Sequence, residues 1–301
     1  MIGLDPQGRR PRVLELPRGR SLELAGRPLV MGVVNLTPDS FSDGGLLASA
    51  EQAVAHGLSL LEQGADLLDL GAESTRPGGG VYGSGAREVP ASEELDRLLP
   101  VLQGLRAKAE AVVSVDTRKG SVARAALEAG ADLINDVSTL SDPELGAAVA
   151  EAGCPLVLMH SRGALATMQT EIHFDRLMAE IRGELADAVA RAEALGIERQ
   201  QLIVDPGIGF GKTYSQGCEI LARLGELAPL GLPVLVGASR KSFIGHLTGG
   251  APPQDRLAGS LAAAAWAVRQ GAAIVRVHDV RDTVRFLKVW SAIEQLQGAG
   301  A

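Results

Sequence analysis

The sequence predicts an α/β protein: a (β/α)8 barrel, or TIM barrel, with an N-terminal β-hairpin. The first observation is repetition, because eight short apolar runs alternate with eight helical patterns along the 301 residues. The second is an asymmetry of the connections, which are short from helix to strand but often long and polar from strand to helix. Such asymmetry predicts a functional face at the carboxyl ends of the strands. An open doubly wound sheet is the competing architecture.

These patterns divide the chain into a hairpin region, a barrel and a tail. Arg12 to Leu16 and Ser21 to Leu24 alternate apolar and polar residues around Pro17-Arg18-Gly19, which is a turn signal. We expect a hairpin within residues 1–28 that covers the floor of the barrel. The catalytic barrel then spans residues 29–297, and residues 298–301 form a frayed tail.

The strand candidates of the barrel are apolar throughout. Interior parallel strands are covered on both faces, so their residues need not alternate. The candidates are Leu29–Val34, Leu67–Leu70, Val112–Val115, Leu133–Asn135, Leu156–Met159, Leu202–Val204, Val234–Val236 and Ile274–Val277.

The helix candidates fill the intervals between the strands and follow the last one. They are Ser49–Gln63, Ser92–Ala109, Gly120–Ala129, Pro143–Ala152, Phe174–Leu195, Gln216–Leu227, Asp255–Gln270 and Asp282–Gln297. Several of these patterns end at a glycine, which suits the left-handed conformation of a helix C-cap. These glycines are Gly64, Gly130, Gly153, Gly196 and Gly271.

The strand that begins at Leu202 ends in Asp205 and a glycine-rich loop that reaches Lys212. Two familiar phosphate-binding patterns fail here. A P-loop needs a glycine where Pro206 stands, and a dinucleotide-binding loop needs one at Lys212. The glycines therefore indicate a tight turn or a close approach to a flat ligand. Lys212 has no assigned role.

Composition excludes several functional classes. The chain is 46% hydrophobic and 22% charged, which is typical of a globular protein and not of a disordered one. Its net charge of -7 argues against nucleic acid as a principal partner. Cys154 and Cys218 lack neighbours at metal-ligand spacing. Since no apolar segment approaches the length of a membrane span, we expect a cytoplasmic protein that does not bind membranes.

Polar residues stand at or just after the ends of all the predicted strands. Any one of them could cap a helix or close a turn, but a ring of them around one cavity implies mutual pairing or a polar ligand. The ring comprises Asn35, Asp69, Glu73 to Arg76, Asp116, Asn135, His160, Asp205, Ser239 to Lys241, Arg276 and His278.

The chemistry of this ring indicates the kind of ligand. Asp116, Asn135 and Asp205 suit a flat heterocycle that carries an amide and an exocyclic amine, such as a pterin. A cationic set suits phosphate or pyrophosphate. Its members are Arg76, Lys241, Arg276 and His278. Asn35 offers a hard oxygen ligand for Mg²⁺ beside the phosphates.

Seven segments, in order along the chain, closely resemble the signature motifs of the dihydropteroate synthase family. They are Gly32–Gly45, Gly71–Gly78, Val115–Arg118, Ile134–Asp136, Asp205–Lys212, Ser239–Ser242 and Val275–Val280. The resemblance spans nearly all of the chain from Leu29 to Trp290. It departs from the family pattern at Ala72, where a further glycine is common, and modestly at Met159–Gly163; neither departure removes a functional side chain.

The resemblance implies a transferase of folate biosynthesis. Such enzymes condense dihydropterin pyrophosphate with p-aminobenzoate, use Mg²⁺, form homodimers and are the targets of sulfonamides. By this likeness Asp116, Asn135, Asp205 and Lys241 bind the pterin. The diphosphate and its metal would be held by Asn35, Arg76, Arg276 and His278. The p-aminobenzoate pocket would be bordered by Thr75, Pro77, Phe210, Lys241 and Ser242.

On this interpretation Asn35, Arg76, Lys241, Arg276 and His278 carry catalysis by holding the substrates and stabilising the charge of the departing diphosphate. The loops Leu36–Leu47 and Gly78–Glu88 are predicted to be mobile lids.

Three alternatives remain open from the sequence. A pterin-binding methyltransferase domain shares the barrel but needs no pyrophosphate or p-aminobenzoate pocket. A catalytically silent paralogue would keep the pterin site alone. A barrel enzyme for phosphosugars fits Asp116 and Asp205 poorly. A Schiff base on Lys241 is disfavoured, because the substrate offers no ketone and no sequence feature indicates a lowered pKa for this lysine.

Overall fold

The computed structural model describes residues 13–24, 26–36, 45–73, 88–164, 167–170 and 172–298. A two-stranded antiparallel hairpin comes first, in which β1 (Val13–Leu16) pairs with β2 (Arg20–Glu23). The two strands flank a 3₁₀ turn at Pro17–Gly19, where Arg18 adopts a left-handed conformation with φ of 66°. The predicted hairpin is confirmed.

Eight parallel strands form the barrel. They are β3 (Leu29–Asn35), β4 (Leu67–Gly71), β5 (Val112–Asp116), β6 (Leu133–Asp136), β7 (Leu156–Met159), β8 (Leu202–Asp205), β9 (Leu235–Val236) and β10 (Ile274–Val277). Their order in the sheet is β8-β7-β6-β5-β4-β3-β10-β9. A parallel bridge between Val204 and Val234 joins the two outer strands of this order and closes the ring. The predicted (β/α)8 barrel is confirmed, and the open sheet is excluded.

Helices connect the strands and surround them. They are α1 (Gly45–Glu62), α2 (Ala91–Arg106), α3 (Gly120–Glu128), α4 (Pro143–Ala152), α5 (Leu177–Ala194), α6 (Tyr214–Ala222), α7 (Ser242–Leu247), α8 (Leu257–Arg269) and α9 (Val280–Gly298). All five glycines predicted to follow helices have positive φ, between 59° and 110°. No helix in the described part of the chain is long and apolar enough to cross a membrane.

Some predicted helix boundaries are wrong. The pattern Gln216–Leu227 is broken, since α6 ends at Ala222 and a 3₁₀ segment, Leu224–Leu230, follows. Gly225 and Pro229 explain the break, because glycine weakens a helix and proline lacks the N–H that a helix interior uses. The short helix α7 was not predicted, since six residues are too few to show a helical period.

The predicted starts of two later helices were also early. α5 begins at Leu177, three residues after the predicted Phe174. α8 begins at Leu257, after a 3₁₀ turn at Pro253–Asp255.

The hairpin packs against the amino-terminal end of the barrel. Leu14 is completely buried among residues near the start of the strands. These residues are Leu29, Met31, Leu67, Leu133, Val157, Ile203, Leu235 and Ile274. Arg18 and Arg20 then reach the fully buried Asp132, which also accepts from Arg106. The opposite end of the barrel, at the carboxyl ends of the strands, is free of the hairpin.

Candidate functional site

An arginine and two aspartates form a cluster inside the carboxyl end of the barrel. Arg276 on β10 donates from Nε to Asp69 Oδ2 at 2.6 Å and from Nη2 to Asp116 Oδ2 at 3.1 Å. Asp69, on β4, is fully buried and also accepts from Asn135 Nδ2 at 3.2 Å. Because buried charges need partners, these contacts explain how three ionisable groups share one interior.

The electrostatics of this cluster favour retention of a proton. Burial, followed by the negative charge of Asp69, raises the pKa of Asp116 to about 8, although Arg276 opposes the shift. The Oδ1 atoms of Asp69 and Asp116 are buried and have no hydrogen-bond partner among the described residues. Unpaired buried acceptors are rare, and they are typical of a site that a ligand completes.

A second group of side chains follows β8 and β9. Asp205 ends β8, and its Oδ1 accepts the Gly207 N–H at 2.7 Å. Burial raises the pKa of Asp205 to about 6, and the Gly207 hydrogen bond opposes this. Lys241, just before α7, holds Nζ 4.3 Å from the centroid of the Phe210 ring, within cation–π distance. Burial lowers the pKa of Lys241 to about 8, which nothing in the sequence indicated.

His278 follows β10. It was predicted to belong to a cationic set, but its surroundings favour the uncharged imidazole. Its Nδ1 lies 3.1 Å from Ser239 Oγ, which also accepts the His278 backbone N–H at 3.3 Å. Burial, with the nearby positive charges of Arg276 and Arg240, lowers the pKa of His278 to about 4. The imidazole is therefore neutral near pH 7. It can donate or accept a hydrogen bond but carries no charge.

Arg240 holds the loops after β9 and β10 together. Its Nε donates to Asp279 Oδ2 at 3.0 Å, and its backbone N–H donates to Ser260 Oγ at 3.0 Å. Its φ of 58° is left-handed, which is uncommon for a residue with a side chain. Backbone strain of this kind often occurs at functional sites, and here it lies between Ser239 and Lys241.

Most of the predicted site residues meet at one end of the barrel. The residues at or after the carboxyl ends of β5 to β10 are Asp116, Asn135, Asp205, Phe210, Lys241, Ser242, Arg276 and His278. Asn35 ends β3 and is exposed there. Thr75, Arg76 and Pro77 lie outside the described residues, as do residues 37–44 and 78–87 of the two predicted lids.

The sequence left several buried polar residues of this end without a role, among them Asp69, His160, Ser239 and Lys212. Asp69 stood among the strand ends, and its signal is a charged side chain between the leucines of β4. Lys212, which is 3% exposed, carried no recognisable signal. Glu73, by contrast, contacts Arg118 and Lys119 at 3.0 Å each, so these two cations account for its charge.

Metal binding rests on a sparse set of ligands. Within the described ranges, no three His, Cys, Asp or Glu side chains converge so that they could hold a metal ion. Asn35 offers one exposed amide oxygen at the mouth of the barrel. Mg²⁺ commonly keeps several waters and binds through substrate phosphates and one or two protein oxygens, most often carboxylates, so Asn35 is a chemically suitable but single ligand.

Comparison with known proteins identifies the family. Residues 31–278 match the family described as pterin binding enzyme. The chain is 46% identical over 275 residues to the dihydropteroate synthase of Escherichia coli strain K12, covering 91% of this chain and 94% of that protein.

Two solved structures share the fold. Dihydropteroate synthase of Xanthomonas albilineans with 4-aminobenzoic acid has a TM-score of 0.86 at 48% identity, over 95% of this chain and 99% of that one. The Yersinia pestis enzyme with a sulfonamide drug has a TM-score of 0.85 at 44% identity, over 93% and 98% of the two chains. Because both the sequence and the barrel agree over nearly their full lengths, this chain belongs to the dihydropteroate synthases, the family of transferases among the pterin-binding enzymes.

Proposed function

We propose that the protein condenses (7,8-dihydropterin-6-yl)methyl diphosphate with 4-aminobenzoate to give 7,8-dihydropteroate and diphosphate, in folate biosynthesis. One observation carries the proposal: at the carboxyl end of the barrel Arg276 contacts both Asp69 and Asp116, and the Oδ1 atom of each aspartate is buried without a hydrogen-bond partner among the described residues. The family membership supports the same reaction. A pterin-binding methyltransferase would share the pterin-contacting residues, but Arg276, His278 and the segment Ser239–Ser242 favour the synthase. Asp116 and Asp205 fit a phosphosugar enzyme poorly.

The pterin ring would bind to Asp116, Asn135, Asp205 and Lys241. A pterin presents N–H donors beside a carbonyl acceptor, and carboxylates with an amide and an amine are complementary to that edge. The unpaired Oδ1 of Asp116 supports this assignment, because a ligand N–H would satisfy it. Burial raises the pKa values of Asp116 and Asp205. Hydrogen bonds from the donors of a pterin ring would oppose this shift and favour the ionised carboxylates.

The diphosphate would lie between Asn35, Arg276 and His278, together with Arg76. The Arg276 side chain is 22% exposed, and its two aspartate contacts hold it toward the cavity. Neutral His278 donates a hydrogen bond to a phosphate oxygen or takes up a proton beside it, since an adjacent anion raises a histidine pKa. Mg²⁺, when bound through Asn35, supplies charge neutralisation of the diphosphate.

The p-aminobenzoate ring would lie against Phe210, with Lys241, Ser242, Thr75 and Pro77 around it. Phe210 is backed by Val137, Met159 and Met168, so its ring is held on one side. The related Xanthomonas structure contains 4-aminobenzoic acid, and the Yersinia structure contains a sulfonamide drug. We accordingly propose this pocket as the sulfonamide target.

Catalysis requires one bond to break and one to form. The C–O bond between the pterin methylene carbon and the diphosphate breaks, and the electron pair leaves with the diphosphate. The amine nitrogen then forms a C–N bond to that carbon and loses a proton to the departing diphosphate or to water. Arg276 and His278 stabilise the departing negative charge, while Phe210 and Lys241 hold the amine in line. No covalent bond to Lys241 is needed, since the substrate offers no ketone.

A coupled assay of diphosphate release tests this function. Release is expected only when both the pterin diphosphate and 4-aminobenzoate are present. Release without 4-aminobenzoate would overturn the synthase assignment, and no release with both substrates would indicate a silent paralogue. Treatment with borohydride and substrate should leave Lys241 unmodified, as judged by mass spectrometry.

We also propose a homodimer formed by a groove between α6, α7 and α8. The groove has a volume of about 300 Å³ and is bordered by Leu247 and Trp266, which are 66% and 45% exposed. Exposed apolar patches of this kind mark interaction surfaces, and family membership favours a second copy of the chain as the occupant. Leu247→Glu should convert the dimer to a monomer in sedimentation experiments; an unchanged sedimentation coefficient would count against this interface.

The proposed substrate carries a diphosphate, which does not cross a lipid bilayer unaided because of its charge. We therefore propose that the enzyme acts in the cytoplasm.

A further inference from the structure

The amino group of Lys212 is buried among uncharged acceptors. Its Nζ lies 2.8 Å from the Phe210 carbonyl oxygen, 2.9 Å from His160 Nδ1 and 3.4 Å from the His160 carbonyl oxygen. The residue is 3% exposed. A lysine is seldom buried in this way, because the charge loses its hydration. The proposed chemistry does not use this group, so its burial calls for another explanation.

His160 connects Lys212 to the outer layer of the barrel. Since Nδ1 accepts from Lys212, the neutral imidazole carries its proton on Nε2. Nε2 lies 3.1 Å from Glu184 Oε2, a close electrostatic contact that lacks hydrogen-bond geometry. Burial and the charge of Lys212 lower the pKa of His160 to about 4, which keeps the imidazole neutral. The chain of contacts ends at Glu184, whose side chain is 41% exposed.

Lys212 lies where two strand-to-helix loops are pressed together. Residues 206–212 follow β8, and residues 160–164 follow β7. Gly207 and Gly211 have φ of +64° and +62°, and a Cβ on either would collide with a carbonyl oxygen of the other loop. The nearest approaches would be 1.9 Å to the His160 oxygen and 2.6 Å to the Arg162 oxygen. The two loops therefore behave as one packed unit, and the Lys212 side chain joins them.

The packed unit carries the aromatic wall of the cavity. Phe210, whose carbonyl accepts from Lys212, packs its ring against Met159 and Met168. The amino group of Lys241 also contacts this ring and lies 4.3 Å from its centroid. Lys241 has its own anchor in the loop after β9, because its backbone N–H donates to the Ala238 carbonyl oxygen at 3.3 Å. Displacement of the Phe210 backbone would thus move the ring while Lys241 stays in place.

We propose that Lys212, oriented by His160 and Glu184, is a positioning residue that fixes the Phe210 wall and thereby sets the affinity for the aromatic amine substrate. This inference rests on the proposed function, because it takes Phe210 as a wall of the p-aminobenzoate pocket. Lys212 does not touch the reacting atoms. Its loss should raise KM for 4-aminobenzoate while KM for the pterin diphosphate and kcat change little.

The protonation state of Lys212 adds a second, independent readout. The ammonium has three N–H donors for three acceptors, whereas the neutral amine has two. Burial lowers the pKa of Lys212 to about 7; the negative charges of Asp205 and Glu184 oppose this, and the positive charges of Lys241 and Arg162 assist it. KM for 4-aminobenzoate should therefore rise between pH 6 and pH 8.5.

The decisive variant is Lys212→Met, which keeps an unbranched side chain one heavy atom shorter and removes its donors. We expect KM for 4-aminobenzoate to rise about tenfold, with less than about threefold change in kcat and in KM for the pterin diphosphate. Groups that titrate nearby, including Asp116, Asp205 and Lys241, remain in the variant. The part of the pH dependence that Lys212→Met abolishes is thus the part due to Lys212.

Gln201→Met is the matched control. Gln201 is also buried and also donates to a backbone carbonyl, that of Gly153, but at the amino-terminal end of the barrel. The kinetic constants of Gln201→Met should equal those of the wild type, even if the substitution lowers the Tm. Should Lys212→Met fail to fold, Glu184→Gln replaces it, since Glu184 lies at the exposed end of the chain of contacts; a rise of about threefold in the same KM is then expected.

Two failures are distinguishable. A wild-type enzyme whose diphosphate release does not require 4-aminobenzoate contradicts the proposed function itself. An active wild type with an unchanged 4-aminobenzoate KM in Lys212→Met overturns only the positioning role. A Lys212→Met variant in which kcat and both KM values worsen by the same factor also overturns the positioning role, because a purely structural role would produce that pattern.

Discussion

Asp69→Asn tests whether Arg276 is held in place from the barrel interior. Asp69 is fully buried and accepts from Arg276 Nε at 2.6 Å and from Asn135 Nδ2 at 3.2 Å. The substitution removes the charge but keeps the shape. The Arg276 guanidinium then keeps an ion pair with Asp116 alone, and its orientation toward the diphosphate should become less well defined.

The magnitude follows from the contacts that change. A hydrogen bond to a charged group contributes about 1.5–3 kcal/mol. Part of that loss is offset, because the Asp69 charge also repels Asp116. We expect a net loss of about 2 kcal/mol, which corresponds to a Tm lowered by roughly 3 °C for 301 residues. The same energy lost from the transition state lowers kcat/KM about 30-fold.

Asp132→Asn is the matched control at the other end of the barrel. Asp132 is equally buried and accepts from Arg18 at 2.7 Å, from the Val113 N–H at 2.8 Å, and from Arg20 and Arg106. Because Asp132 has more partners than Asp69, Asp132→Asn should lower the free energy of unfolding by about 3–5 kcal/mol. This is at least as large as the loss expected for Asp69→Asn. The kcat/KM of Asp132→Asn should stay within about twofold of the wild type.

Thermal unfolding and steady-state kinetics on both variants decide the matter. Full kcat/KM in folded Asp69→Asn would show that Arg276 needs no support from the core. An equal kinetic loss in Asp132→Asn would show that general destabilisation, and not the Arg276 cluster, controls activity.

Three further predictions follow from the site. Asp205→Asn should weaken binding of the pterin far more than binding of 4-aminobenzoate in the presence of saturating diphosphate, measured by titration calorimetry; equal losses would contradict the placement of Asp205. Burial lowers the pKa values of His160 and His278 to about 4, so the unfolded state binds more protons between pH 6.5 and pH 4. The unfolding free energy should therefore fall as the pH drops through this range, by as much as about 3 kcal/mol per histidine, and glutamine at both positions should flatten the curve. Asp279→Asn should free Arg240 and raise KM for the pterin diphosphate roughly threefold to tenfold; a change confined to KM for 4-aminobenzoate would refute this link.

Much of the fold is visible in the sequence because its signals are local. Each strand is a short apolar run, and glycines such as Gly130 and Gly271 mark helix ends through a backbone conformation that other residues adopt poorly. Signals weaken where elements are short or interrupted. α7 has six residues, and the segment after Ala222 contains Gly225 and Pro229, so neither shows a clear period.

Many of the candidate site residues are also accessible from the sequence, because parallel strands deliver their last residues to one end of the barrel. Asp116 and Asp205 were identified in this way. Their chemistry indicated the kinds of ligand, a flat heterocycle for Asp116 and Asp205 and a phosphate for the cationic residues, whereas the p-aminobenzoate pocket came from resemblance to a family.

The sequence by itself thus determined the eightfold strand–helix alternation, the hairpin and the end of the barrel that carries the polar groups, since each depends on neighbouring residues. Only the tertiary structure decided how those groups are charged and paired. Asp69 meets Arg276 across 207 positions of the chain. His278 is neutral and Lys212 is buried beneath Phe210 because surrounding elements remove water from them. Desolvation and long-range pairing depend on what the whole fold brings together, which a local pattern does not contain.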